Sequence, residues 1–140
     1  MPHKISLLDL ENFAKEEIAA DQYPNDYHLF HPFACDACGI VPFTLTIEHH
    51  TGSSKGNFKG VIRGTCPDCG VQKSLLSFTG RHREPEWTET PACACGNDRF
   101  VAGELERIEG DDGMMGFFDE GVVVGQCTQC GKNRVFVQTD

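Results

Sequence analysis

Apolar residues recur every three to four positions at Leu7, Leu10, Ala14 and Ile18, and Ser6 followed by Asp9 has the form of a capping box. Residues 6–20 therefore predict a helix whose single apolar face packs on something. Pro24, Asn25 and Pro32 break that pattern across residues 21–34. The period then changes to two, cleanly at Phe43, Leu45 and Ile47 and more raggedly at Phe100, Ala102 and Leu105, which predicts strands. Shorter β-rich runs follow at 61–62, 75–78, 122–124 and 135–137, with glycine-rich loops at 51–60 and 110–116. Residues 81–92, which hold several charges with Pro85, Trp87 and Pro91, read as a linker.

Cysteine changes the picture most. All eight cysteines fall in close pairs, each followed at once by glycine: Cys35/Cys38-Gly39, Cys66/Cys69-Gly70, Cys93/Cys95-Gly96 and Cys127/Cys130-Gly131. Pairs one and two are separated by nearly the same length of chain as pairs three and four, so one unit is used twice. Each unit reads as knuckle, strand, strand, knuckle, strand. A unit of roughly 40–48 residues buries too little apolar surface to offset its chain entropy, and domains of that size usually need metal or disulfides. Metal ligation is the expectation. Four thiolates suit tetrahedral Zn²⁺ at about 2.3 Å, and binding of that kind supplies ~10–16 kcal/mol that appears as folding energy. Two cysteines in one tight turn aim both sulfurs at one point, and glycine after them tolerates positive φ. Disulfides or free buried thiols remain the alternative at this stage.

The Cys-x-x-Cys-Gly pairs resemble the zinc-ribbon class of small β folds, twice, over residues 33–139. That resemblance implies a small metal-stabilised β fold. It consists of two zinc ribbons, each a short antiparallel sheet with two cysteine knuckles, preceded by an N-terminal helix. The implied divisions are 1–32 for the helix and connecting segment, 33–80 for the first ribbon, 81–92 for the linker and 93–140 for the second ribbon. It also implies two zinc ions in sequential sites, Cys35, Cys38, Cys66 and Cys69 for one and Cys93, Cys95, Cys127 and Cys130 for the other. A cross-braced arrangement, the first pair with the third, is the competing one. Under the sequential arrangement, serine at Cys66 or Cys127 is expected to cost one metal and unfold only its own half. Cys93-Ala94-Cys95 departs from the pattern with one intervening residue, a tighter turn that predicts the weaker of the two sites. Cys35 to Cys38 and Cys66-Pro67-Asp68-Cys69-Gly70 are also similar to rubredoxin, which implies iron and electron transfer. Ile40-Val41-Pro42 and Val61-Ile62-Arg63-Gly64-Thr65 depart from the aromatic and acidic residues that family places beside its cysteines, so zinc is preferred over iron.

The remaining candidates weaken against plainer readings. His28 and His31, shortly before Cys35, read as loop or packing residues because each site already has four cysteines. His49, His50 and His82 read as surface histidines. Asp111, Asp112, Asp119 and Glu120 lack the spacing of a calcium loop and read as a solvated acidic stretch. Met114, Met115, Phe117 and Phe118 in that stretch either tuck under the sheet or form a knob for a protein partner.

Composition and charge bound the function. The apolar fraction, about 48% with glycine counted and tyrosine left out, is that of an ordinary globular chain. The first residues lack the apolar core of a secretory signal and no run is long enough to span a bilayer, so the expectation is a cytoplasmic protein off the membrane. Net charge is −9, which repels phosphate overall. Residues 49–83 are the exception, with Lys55, Lys59, Arg63, Lys73, Arg81 and Arg83 against Asp68 alone. No phosphate loop, nucleophile elbow or paired catalytic acid is present, and a Cys₄ zinc has no open position for substrate. The leading expectation is therefore a non-catalytic zinc-binding interaction module for a protein partner, with no small-molecule substrate. A nucleic-acid binder using residues 49–83, associated with transcription or translation, is the first alternative, and a rubredoxin-like iron electron carrier is the second.

Overall fold

The structure, a computed structural model, describes residues 5–22, 26–54, 56–78, 84–109 and 117–139, and for residues 109 and 117–119 the backbone alone. Among the described residues an α-helix, α1 (Leu7–Glu17), and a short 3₁₀ turn (Ala20–Gln22) precede eight strands: β1 (Tyr27–Pro32), β2 (Phe43–His50), β3 (Gly60–Thr65), β4 (Gln72–Phe78), β5 (Pro85–Glu89), β6 (Arg99–Glu109), β7 (Phe117–Cys127) and β8 (Asn133–Thr139). All pair antiparallel in a single sheet ordered β4-β3-β2-β6-β7-β8, with β1 added to β6 and β5 added to β2. Eight strands in one sheet are more than two separate ribbons would form. The knuckle, strand, strand, knuckle, strand order read from the sequence is present twice.

The two halves meet where β2 pairs β6 through only Phe43↔Phe100 and Thr44↔Arg99. Beyond that point the two strands part, and each takes the strand that precedes the other half's first knuckle. Thus β1, which leads into Cys35, pairs β6 from Pro32↔Gly103 to Tyr27↔Ile108. In the same way β5, which leads toward Cys93, pairs β2 from Glu89↔Ile47 to Trp87↔His49. The halves have exchanged their leading strands. Residues 85–89, within the stretch read as a linker, are one of those strands. Proline causes no conflict at Pro85 or Pro32, because each stands at a strand end, where a missing N–H costs little.

The repeat holds residue by residue. Gly64 on β3 and Gly125 on β7 occupy matching positions, and at both a bare backbone is required. A Cβ at Gly64 would lie 2.6 Å from Leu75 and 2.9 Å from Phe43, and one at Gly125 would meet Phe136 and Phe100 in the same way. Each half also carries its register shift at the same place, opposite Leu75 in one and Phe136 in the other. The bulges let Leu75 and Phe136 turn inward over those glycines.

One core serves both halves: Phe43, Leu45, Ile47, Phe58 and Ile62 from the first pack with Phe100, Ala102, Val123, Phe136 and Val137 from the second. Each fully buried side chain of this size contributes about 1.5–3 kcal/mol. The amide of Phe58, just before β3, donates to the carbonyl of Gln138 on β8 at 2.8 Å, which ties the first half to the last strand of the second. The opposite face of the second half is covered by α1, whose Leu10 and Ala14, with Ile18 at its C-cap, pack on Leu105, Val122 and Val124. Ser6 caps this helix by accepting from the Asp9 amide at 3.2 Å, as its spacing predicts, and its own amide donates to Gln126 at 3.0 Å.

Three further expectations change. His49 and His50 are buried, not on the surface, because β5 covers the edge of β2 that local pattern leaves open. His28 and His31 lie on a strand, not in a loop, with His31 beside Glu106 at 3.4 Å. A shared core also removes the physical basis for one half unfolding alone. Met114, Met115, His82, Asp111 and Asp112 lie outside the described residues. Phe117 and Phe118 are placed by backbone only, on β7 opposite Glu109 and Ile108.

Candidate metal centres

Each knuckle is a tight turn closed by its own backbone. In the first, Cys35 and Gly39 exchange two amide-to-carbonyl bonds at 2.8 Å. The Gly70 amide donates to the Cys66 carbonyl at 2.8 Å, Gly96 does the same to Cys93 at 2.8 Å, and Gly131 to Cys127 at 3.0 Å. The turns need left-handed backbone at that glycine, with φ of +83° at Gly39, +74° at Gly70, +94° at Gly96 and +78° at Gly131. A side chain there is strained, which explains why glycine follows every pair.

The knuckles converge in twos. Cys35, Cys38, Cys66 and Cys69 form one quartet, and Cys93, Cys95, Cys127 and Cys130 form the other, with all sulfurs of a quartet within 4.8 Å of one another. Cys35 and Cys69 sulfurs are 3.6 Å apart, Cys93 and Cys130 3.5 Å, and Cys95 and Cys127 3.6 Å. A tetrahedron with arms of about 2.3 Å has edges of about 3.8 Å, so these sulfurs are spaced for one four-coordinate ion and too far apart for disulfides. The grouping is the sequential one, and Cys93 joins its quartet despite the shorter turn. In each knuckle the first cysteine is buried and the second exposed, so each centre sits half in the core and half at the surface.

Backbone amides supply the electrostatics. The amides of Ala37 and Cys38 bring the Cys35 thiol down to about 7. At Cys127 burial opposes ionisation, yet the Cys130 amide, the Asn97 side chain and the Gln129 amide together bring the thiol down to about 6. Hydrogen bonding to Cys66, with burial, pushes the partner thiol of Cys38 up to about 12. A quartet of this kind holds protons that a bound cation must displace, so metal binding releases protons.

The basic residues form no single patch among the described residues. The register places Arg63 opposite Ser74 and Lys73 opposite Gly64, and adjacent strand positions point to opposite faces. Arg63 pairs with Glu48 at 2.8 Å, Lys73 with Asp36 at 3.1 Å, and Lys59 lies 4.7 Å over the Phe78 ring. Lys55, Arg81 and Arg83 lie outside the described residues.

No family model, curated protein or solved structure matches this chain. Geometry alone carries the reading. Among the described residues, no helix is long and apolar enough to cross a membrane.

Two features escape sequence reasoning. His49, 2% exposed, lies between Ser53 at 2.8 Å and Glu89 at 3.3 Å, with Trp87 stacked on it at 3.7 Å. This cluster clamps β5 onto β2, and no local pattern announces a contact between residues so far apart. Asn97, which follows the third knuckle, sends its side-chain amide to the Cys127 sulfur at 3.2 Å. Its position directly after Gly96 was the one available signal.

Proposed function

We propose that this chain is a non-catalytic zinc-binding protein, in which two Cys₄ centres are structural and the folded sheet presents surfaces to a protein partner. The observation that carries it is the pair of four-sulfur clusters with tetrahedral spacing. Four thiolates complete the coordination of zinc and leave no position for substrate. The interaction reading draws support from the rim of the first centre. Ile40 and Val71, each directly after a knuckle glycine of the first centre, are 48% and 56% exposed, and this reading takes them as the apolar surface that a partner covers.

The test is affinity capture by the zinc-loaded chain and by an Ile40→Asp/Val71→Asp variant. A protein partner retained by the first and lost by the second supports the reading, and no partner with either overturns it. Metal analysis of the same preparation separates zinc from iron, since a red, iron-loaded protein with thiolate-to-iron absorption establishes the electron-carrier reading instead.

A further inference from the structure

The two centres share one plan but differ at one position that faces a sulfur. Asn97 follows Gly96, and its counterpart after Gly39 is Ile40. The Asn97 amide nitrogen lies 3.2 Å from the Cys127 sulfur, 2.8 Å from the Arg99 carbonyl and 3.1 Å from the Thr128 hydroxyl. The backbone amides of Gln129 and Cys130 approach the same sulfur at 3.4 Å and 3.5 Å. Cys127 is fully buried, so these donors replace the water that an exposed thiolate would use. Ile40 has no donor to offer, and the residue matching Thr128 is Pro67.

We propose that Asn97 is a positioning residue of the second metal centre. It fixes the orientation of the Cys127 thiolate and draws charge from it, so that the two centres hold the same ion with different strength and different electronic character. This rests on the reading of both quartets as metal sites. A hydrogen bond to a ligating sulfur lowers the charge the ligand gives to the metal while it holds the ligand in place, and outer partners of this kind typically change metal affinity by 10–100-fold. The tighter Cys93-Ala94-Cys95 turn, expected to weaken the second centre, is thereby offset.

Cadmium-113 spectroscopy of the cadmium-loaded full chain tests this. The expected result is two resonances, one of which shows coupling to a side-chain amide proton of Asn97 through the Cys127 sulfur. Asn97→Leu should shift that resonance and leave the other in place, and should weaken metal retention at that site by about 10–100-fold against a chelator. Thr128→Val, which removes one oxygen partner of Asn97 but keeps its amide on the sulfur, should shift that resonance much less than Asn97→Leu and leave the other in place. Absence of the coupling in the native chain overturns the proposal, and so does a shift of equal size from Thr128→Val. A chain that binds no cadmium at all refutes the metal reading itself, an outcome distinct from either.

Discussion

The first and second halves of the molecule carry the same strands, bulges and knuckles, yet they treat one pair of positions in opposite ways. In the first half Ile47 is buried on β2, and His49, two residues on, reaches across to Glu89 of the leading strand. In the second half the matching position is Glu104, and Glu106, two residues on, reaches across to His31 of the leading strand. The histidine and the glutamate have changed places between the strands. The clamp is therefore a property of the architecture, and which strand brings the acid is free to vary. The cost falls on the second half, where burial and the neighbouring Glu106 carboxylate push Glu104 up to about 7.

The largest effect expected concerns the metal. Metal binding worth ~10 kcal/mol is comparable with the whole stability of a domain, so a chelator should unfold the entire sheet. Because the leading strands are exchanged and one core is shared, Cys66→Ser should remove hydrogen-exchange protection from β6 and β7 as well as β2 and β3. Loss confined to the first half would show the halves to be separable.

The matched glycines test the repeat. Gly64→Ala and Gly125→Ala should each cost about 2–3 kcal/mol in urea unfolding, because the added carbon meets the inward Leu75 or Phe136. A large cost at one and none at the other would break the equivalence.

Glu104 tests the difference. A carboxyl whose native pKa is raised gives stability that is complete below its unfolded value and is lost as pH rises through about 7. Glu104→Ile, which copies the first half, should therefore stabilise the protein by about 2 kcal/mol at pH 8, with the gain shrinking toward pH 5. A gain independent of pH would assign the effect to packing instead. The two clamps differ least of all. His49→Ala, which leaves a buried gap and unpaired neighbours, should cost about 2 kcal/mol, and His31→Ala at its exposed site less than about 1 kcal/mol.

What was legible in the sequence is what short-range chemistry dictates. The knuckles were readable because two sulfurs and a positive-φ glycine must lie within a few residues. α1 was readable from its three-to-four spacing and β2 and β6 from their alternation, while β3, β4, β7 and β8 showed only as short β-rich runs, because strands such as β7, buried on both faces, have no alternation to read. The leading strands were not readable. Tyr27–Pro32 and Pro85–Glu89 are exposed on alternate or nearly all positions and bounded by proline, and their pairing is to strands far along the chain. Missing β5 also hid the burial of His49 and His50, which depends on it. The contact of Asn97 with Cys127 is likewise a product of the fold, since only the convergence of two knuckles brings a residue of one onto a sulfur of the other.

The most direct test is native mass spectrometry of the purified full chain beside thiol alkylation of the same sample. Two metal ions per chain, with all eight cysteines protected until a chelator is added, is the predicted result. A metal-free folded chain with its cysteines paired as disulfides would contradict it.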